Sequence, residues 1–337
     1  MKQKAFKLLP WVITVLALYF AFQGIDLGKM LQQMKQGNFA WLSIAIFLTI
    51  SSYLIRAFRW QFFFPAKSFN FLQSYQVLTL GFFMNNILPA RAGEFIRAHL
   101  GAKISSEKRT LVLATIASER LADGLTLSVL FILYAILSGA AVNKNILLVA
   151  ILFFLATAFI MGILFCKKHV FNFANKLSNK FNSKAGDYAA DRLQVFINGL
   201  RPLFQKNRLP YIIGFSIMVW MVELTAYYCI VRAFDAELSF WGCVLFLVAV
   251  NFSSLVPSAP AGIGVIEAFA SAALVTVGIN RELALSMVIS QHLIQFMVIA
   301  VPGIIFLISF KSYLKNYQKE EAAKKQKGNS KDSLAHV

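Results

Sequence analysis

Six runs of apolar residues, at 8–25, 39–58, 111–137, 146–165, 209–231 and 283–310, constrain this chain more than any other feature. Each is close to the roughly 20 residues that an α-helix needs to cross a bilayer core about 30 Å thick. Lipid offers no hydrogen bonds, so the backbone of such a run must pair within its own segment, which a helix does. The composition agrees: 58% of the 337 residues are hydrophobic and 14% are charged, against about 25% charged in soluble domains. The sequence predicts an all-α polytopic membrane protein. The third and sixth runs are long enough to tilt or to project into the headgroups. Lys2, Lys4 and Lys7 precede the first run, as in a secretory signal. No small-x-small cleavage pattern follows it, so it is expected to stay as an anchor.

Two more apolar regions, 71–103 and 240–277, are broken near their middles by proline, glycine and charge. The first holds Asn86, Pro89, Arg91, Gly93, Glu94 and Arg97; the second holds Pro257, Pro260, Gly262, Gly264 and Glu267. Backbone groups freed at membrane depth must be satisfied against protein or a water-lined cavity, and charges there face a polar interior. Both regions therefore read as re-entrant helical hairpins, with tips at Asn86, Pro89 and Gly93 and at Pro257 and Pro260. The arm 93–103 would be about 16 Å long at 1.5 Å per residue, half of the core, so it enters the membrane without crossing. If both hairpins return to their own side, the pieces 1–7, 56–70, 103–109, 167–208 and 311–337 carry most of the 33 Lys and Arg. The outer pieces then hold only Lys29, Lys35, Lys144 and Arg281. That bias places both termini in the cytoplasm.

The order of elements suggests a duplication. Arg56-Ala57-Phe58 returns as Arg232-Ala233-Phe234, Pro89 as Pro257, and Arg109-Thr110-Leu111 as Arg281-Glu282-Leu283, at nearly constant separation. The halves, about 1–138 and 146–310, would each be span, span, hairpin, span, the first starting inside and the second outside. Inverted repeats with broken helices near the midplane are a pattern of secondary transporters. The whole of 1–317 reads as one membrane domain, with a disordered, lysine-rich tail at 318–337. Within 167–208, apolar residues at helical spacing with basic residues between them fit helices on the cytoplasmic membrane surface, or helices packed on the ends of the spans. Cys166, Cys229 and Cys243 are widely spaced in apolar surroundings and read as packing residues.

Several side chains could recognise a polar lipid. The guanidinium groups of Arg91 and Arg97 suit a phosphate held by two parallel hydrogen bonds. The alternative is pairing with Glu94 or Asp123 to hold the hairpin, and Arg97 could instead reach the cytoplasmic headgroups. Glu119 and Asp123 share a helix face, and Arg120 can pair with Asp123 three residues on. Glu119 would then be left over as a proton carrier or an amine contact. Gly262 and Gly264 open a half-helix whose free N–H groups would suit an anionic head, or they only permit close packing. Glu223 could cap Arg232 or face the cavity, and His99 and His292 read as packing residues. The net charge of +18 is explained by orientation and anionic lipid rather than by nucleic acid. No nucleotide-binding loop, metal-ligand spacing, nucleophile–base pair or cofactor motif is present.

The ordered runs Asn86, Leu88, Pro89, Arg91, Gly93 and Glu94; Glu119, Arg120 and Asp123; and Val256, Pro257, Pro260, Gly262, Gly264 and Glu267 carry a resemblance across nearly the whole chain. They resemble the flippase-like family that includes the transmembrane region of lysylphosphatidylglycerol synthases. The resemblance implies a multi-pass domain of a bacterial inner (cytoplasmic) membrane that moves a polar lipid between leaflets. Fused members add a soluble aminoacyl-transferase domain, which this chain is expected to lack. The expected headgroup contacts are Arg91, Arg97, Arg120, Gly262 and Gly264, with Glu94, Glu119, Asp123 and Glu267 for charge pairing or proton coupling. The expected partner is a membrane phospholipid or other polar lipid, and no cofactor is expected. The rival reading is the membrane component of a lipid-modifying system, acting with a separately encoded enzyme.

Overall fold

The computed structural model describes residues 2–64, 68–88, 92–138, 151, 154–155, 192, 194–256 and 258–334. Its helices are α1 (Lys2–Phe22), α2 (Leu27–Gln36), α3 (Phe39–Gln61), α4 (Phe71–Ile87), α5 (Gly93–Ser105), α6 (Arg109–Leu137), α7 (Leu209–Ala233), α8 (Phe240–Ser253), α9 (Val265–Thr276) and α10 (Arg281–Leu334). No strand occurs among the described residues. The helix α3, α6, α7 and the part of α10 from Arg281 to Ser309 are long and apolar enough to cross a bilayer. The pair α1 and α2, bent by 83°, would make a fifth span. The expected run at 146–165 lies almost wholly outside the described residues, as do Pro89, Arg91, Pro257, Cys166 and most of 167–208.

Local chemistry sets the ends of these helices. Gly24, at φ +72°, makes the turn after α1, and the Asp26 side chain accepts from the N–H groups of Gly28 and Lys29 to start α2. Asn38 caps α3 in the same way. Asn70 and Gln73 cap α4 reciprocally, satisfying donors that lipid cannot. The helix α10 continues through 318–334, a stretch rich in the helix-forming residues Glu, Ala, Lys and Gln.

The broken regions form two helical hairpins, α4 on α5 and α8 on α9, and each pair packs together. A Cβ at Gly93 would stand 2.2 Å from the Gly81 carbonyl oxygen, so glycine is what lets α5 fold back onto α4. Each hairpin sits between two long helices: α3 and α6 flank the first, and α7 and α10 flank the second. One apolar core gathers Trp60, Phe63, Phe64, Phe69 and Phe83 around the first hairpin. A second gathers Trp220, Tyr227, Phe246, Leu247 and Val288 around the other. The two hairpins meet where the turn Pro260–Gly262 packs on α4. The outward faces are apolar: Phe47 is 67% exposed, and Phe95 and Phe269, on the hairpin arms, are 68% and 58% exposed. Surfaces of that kind match lipid rather than water. Near the end of the 167–208 segment, Ile197, Leu200 and Leu203 are buried, and Gly199 lies against Ala114 and Leu111 of α6. That part packs on the end of a span.

Candidate functional site

The charged residues that the first hairpin brings into the bundle do not stand alone. The segment Ser52, Arg56 and Arg59 occupies one face of α3, at intervals of four and three residues. Asp123 of α6 meets both arginines, with Arg59 Nη1 at 2.7 Å and Arg56 Nη1 at 3.4 Å. Arg56 Nη2 lies 3.0 Å from Glu223 Oε1 of α7, and the Ser52 hydroxyl donates to the same oxygen at 2.6 Å. Arg59 Nη1 also donates to Ser216 Oγ at 2.9 Å, and its Nη2 stands 3.6 Å from Glu119 Oε1. Arg97 of α5 donates to Glu119 Oε2 at 2.6 Å. Arg120 of α6 donates through Nε to Glu94 Oε1 of α5 at 2.9 Å.

Four arginines thus face four carboxylates, and the cluster is formally neutral. This balance makes it tolerable at depth, since a buried unpaired charge costs far more than a hydrogen-bonded pair. Aromatic rings complete the cradle. The Arg97 guanidinium lies 4.1 Å from the Trp60 ring centre, Arg56 4.8 Å from Trp220 and Arg120 5.1 Å from Phe82. Arg97 is 2% exposed, yet its Nε and Nη1 have no hydrogen-bond partner among the described residues. The same holds for the buried Asn85 Oδ1 on α4. Only the Arg120–Glu94 pair reaches the surface, with side chains 34% and 28% exposed.

These contacts revise several expectations. Arg120 pairs with Glu94 rather than Asp123, because α5 packs on α6 and Asp123 is taken by α3. Glu119 is not left over but held between Arg97 and Arg59. Arg97 is buried rather than reaching the headgroups. Arg56 and Arg59, assigned to a cytoplasmic piece, are interior, and Glu223 serves Arg56 instead of capping Arg232. The signal was present as a polar stripe on α3, with Ser52 and Arg56 inside the apolar run 39–58 and Arg59 just past its end. Glu119 and Asp123 do share a face, turned toward the α3 arginines.

The second hairpin also differs from expectation. The Gly264 N–H donates to Glu267 Oε2 at 2.6 Å, and the Gly262 N–H donates to the Ala259 carbonyl at 3.1 Å. Both donors expected to hold an anion are engaged internally, and a carboxylate fills the half-helix end. Glu267 faces His292 of α10 rather than an arginine, so His292 is more than a packing residue. His99 is exposed rather than packed. Gly264, at φ +84°, also lets the tip rest on α1, where an added Cβ would lie 2.8 Å from the Thr14 carbonyl oxygen. Thr14 Oγ1 accepts the Ala259 N–H at 2.8 Å. Pro260 starts the turn of the tip. Asn86 lies in the last turn of α4 and is half-buried. Cys229 and Cys243 are free and buried, as expected of packing residues. No group of three metal-ligating side chains occurs among the described residues.

The family described as the lysylphosphatidylglycerol synthase transmembrane region matches residues 7–303. A UPF0104 membrane protein of Pyrococcus horikoshii is 23% identical over 324 residues, covering 90% of this chain and 96% of its own length. One from Methanocaldococcus jannaschii is 28% identical over 240 residues, covering 71% of this chain and 99% of its own length. One from Methanothermobacter thermautotrophicus is 23% identical over 321 residues, covering 87% of this chain and 92% of its own. No solved structure matches.

Proposed function

Because the chain belongs to the family of the lysylphosphatidylglycerol synthase transmembrane region, we propose that this multi-pass membrane protein binds a polar, phosphate-bearing lipid and moves it between leaflets without hydrolysing ATP. The observation that carries the reading is the balanced cluster of four arginines and four carboxylates, closed everywhere except at Arg120 and Glu94. Ionised groups at membrane depth mark pathways for polar cargo. In this reading a lipid phosphate takes the Arg120 guanidinium from Glu94, with Arg91 as a second contact, while the acyl chains stay in the bilayer. Arg97, Glu119 and Asp123 hold the hairpin arm and α6 in register for that exchange. Gly262 and Gly264 shape the opposing tip. The two hairpin-bearing halves act as inverted repeats, with both termini cytoplasmic.

The test is leaflet-resolved. Protein in phosphatidylcholine–phosphatidylglycerol vesicles carrying a fluorescent phosphatidylglycerol is challenged with an impermeant reductant. Faster loss of inner-leaflet fluorescence than in empty vesicles is expected, slowed at least tenfold by Arg120→Gln and unchanged by Lys29→Gln. Equal rates with and without protein would refute transport. The synthase named in the family's description favours a second reading, in which the chain is the membrane component of a lipid-modifying system with a separate enzyme. Under that reading, deletion removes a modified lipid from the total extract. Under transport, it changes only the leaflet distribution.

A further inference from the structure

The tip of the second hairpin is tied to α10 by one histidine, and the donors and acceptors do not balance without an added proton. His292 Nε2 lies 3.1 Å from the Ala261 carbonyl oxygen. A carbonyl oxygen only accepts, so Nε2 must carry hydrogen. His292 Nδ1 lies 2.6 Å from Glu267 Oε1, and Glu267 Oε2 already accepts from the Gly264 N–H. With hydrogen on Nε2, the Nδ1 contact needs one more proton, either on the ring facing a carboxylate or on the carboxyl facing a neutral ring. Without that proton the neutral ring keeps one N–H. Placed on Nδ1, it serves Glu267 and leaves the Nε2 lone pair against the Ala261 carbonyl. Placed on Nε2, it sets two lone pairs face to face at the Glu267 contact.

We propose that Glu267 and His292 form a binding site for a single proton, and that this proton latches the tip of the second hairpin to α10. The latch holds a backbone with an intrinsic reason to move. Ala261, which is not glycine, is left-handed at φ +63°, beside Gly262 at +82° and Gly264 at +84°. The same turn packs on α4 of the first hairpin, so releasing it loosens the contact between the hairpins. The use of this latch in lipid movement rests on the transport reading above, with the proton as the coupling ion.

The elements packed around the pair carry few other ionisable groups. α4 and α8 contain no charged residue, nor does α1 from Pro10 to Phe22; their ionisable groups are Tyr75, Cys243 and Tyr19. On α3, Tyr53 accepts from Gln295 Nε2 at 3.3 Å, and behind it Arg56 and Arg59 are paired within the cluster, as is Glu223 of α7. The start of α10 and the adjoining turn and helix α2 carry Arg281, Glu282, Asp26, Lys29 and Lys35, and α7 ends near Arg232.

The experiment places a nitroxide at Ser258→Cys, with the three native cysteines replaced by alanine, in phosphatidylcholine–phosphatidylglycerol nanodiscs. The mobile fraction of its spectrum is expected to rise at least twofold from about pH 5.5 to about pH 9. His292→Gln and Glu267→Gln are expected to abolish that dependence. A spectrum independent of pH in the intact dyad would overturn the proposal. If both variants fail to fold, nitrogen-15 spectra of protein whose sole histidine is His292 decide. A ring that binds no proton across this range, with Glu267 ionised throughout, overturns it. A pH-responsive tip in protein that moves no fluorescent lipid at any pH would sink the transport reading and leave the latch standing.

Discussion

Asp123→Asn removes one charge from the buried interior of the cluster while keeping the side-chain volume. Arg59, which is 0% exposed, then loses its 2.7 Å ionic contact, and Arg56 loses one of its two. Breaking one partner of a buried, hydrogen-bonded pair costs about 3–5 kcal/mol, because the other charge stays behind uncompensated. At about 1.4 kcal/mol per factor of ten, that is a roughly 150- to 4,000-fold shift toward the unfolded state. Unfolding in dodecylmaltoside micelles by added dodecyl sulfate can be followed by tryptophan fluorescence, since Trp60 and Trp220 lie against Arg97 and Arg56. The Arg59→Met, Asp123→Leu double variant should recover most of the loss, because a whole pair can be exchanged for apolar side chains at little cost. A double-mutant cycle adds a sharper reading: the coupling of Asp123 to Arg59 should exceed its coupling to Arg120. A loss below about 1 kcal/mol for Asp123→Asn, or the opposite order of couplings, would refute the argument.

Other expectations follow from single contacts. Gly93→Ala should destabilise the fold by about 1–3 kcal/mol through overpacking, since its Cβ would meet the Gly81 carbonyl oxygen at 2.2 Å; unchanged micellar unfolding would show that the hairpin can open without penalty. Thr14→Val removes the acceptor of the buried Ala259 N–H and should cost about 1–3 kcal/mol. Hydrogen exchange at Ala259 should accelerate in that variant, and protection equal to the parent would argue against the α1 contact.

The apolar runs at 39–58, 111–137, 209–231 and 283–310 were legible because lipid imposes one solution on a long apolar backbone, and helices stand at all four. The breaks at Gly93 and at Pro260–Gly264 were equally legible, since glycine and proline mark where a helix at membrane depth must turn. Partner choice among the charges was not. Arg120 and Asp123 are neighbours on α6 and looked like a pair, but helix packing brought Glu94 to one and the α3 arginines to the other. Glu267 and His292 lie 25 residues apart on separate helices, with no motif linking them. Solvent and backbone chemistry act along the chain, so the amino-acid order alone determined that this protein is helical, lies in a membrane and turns back at two places. Electrostatic pairing acts through space, so only the packing of α3, α5, α6 and α7, and of α10 on the second tip, decided which charge answers which.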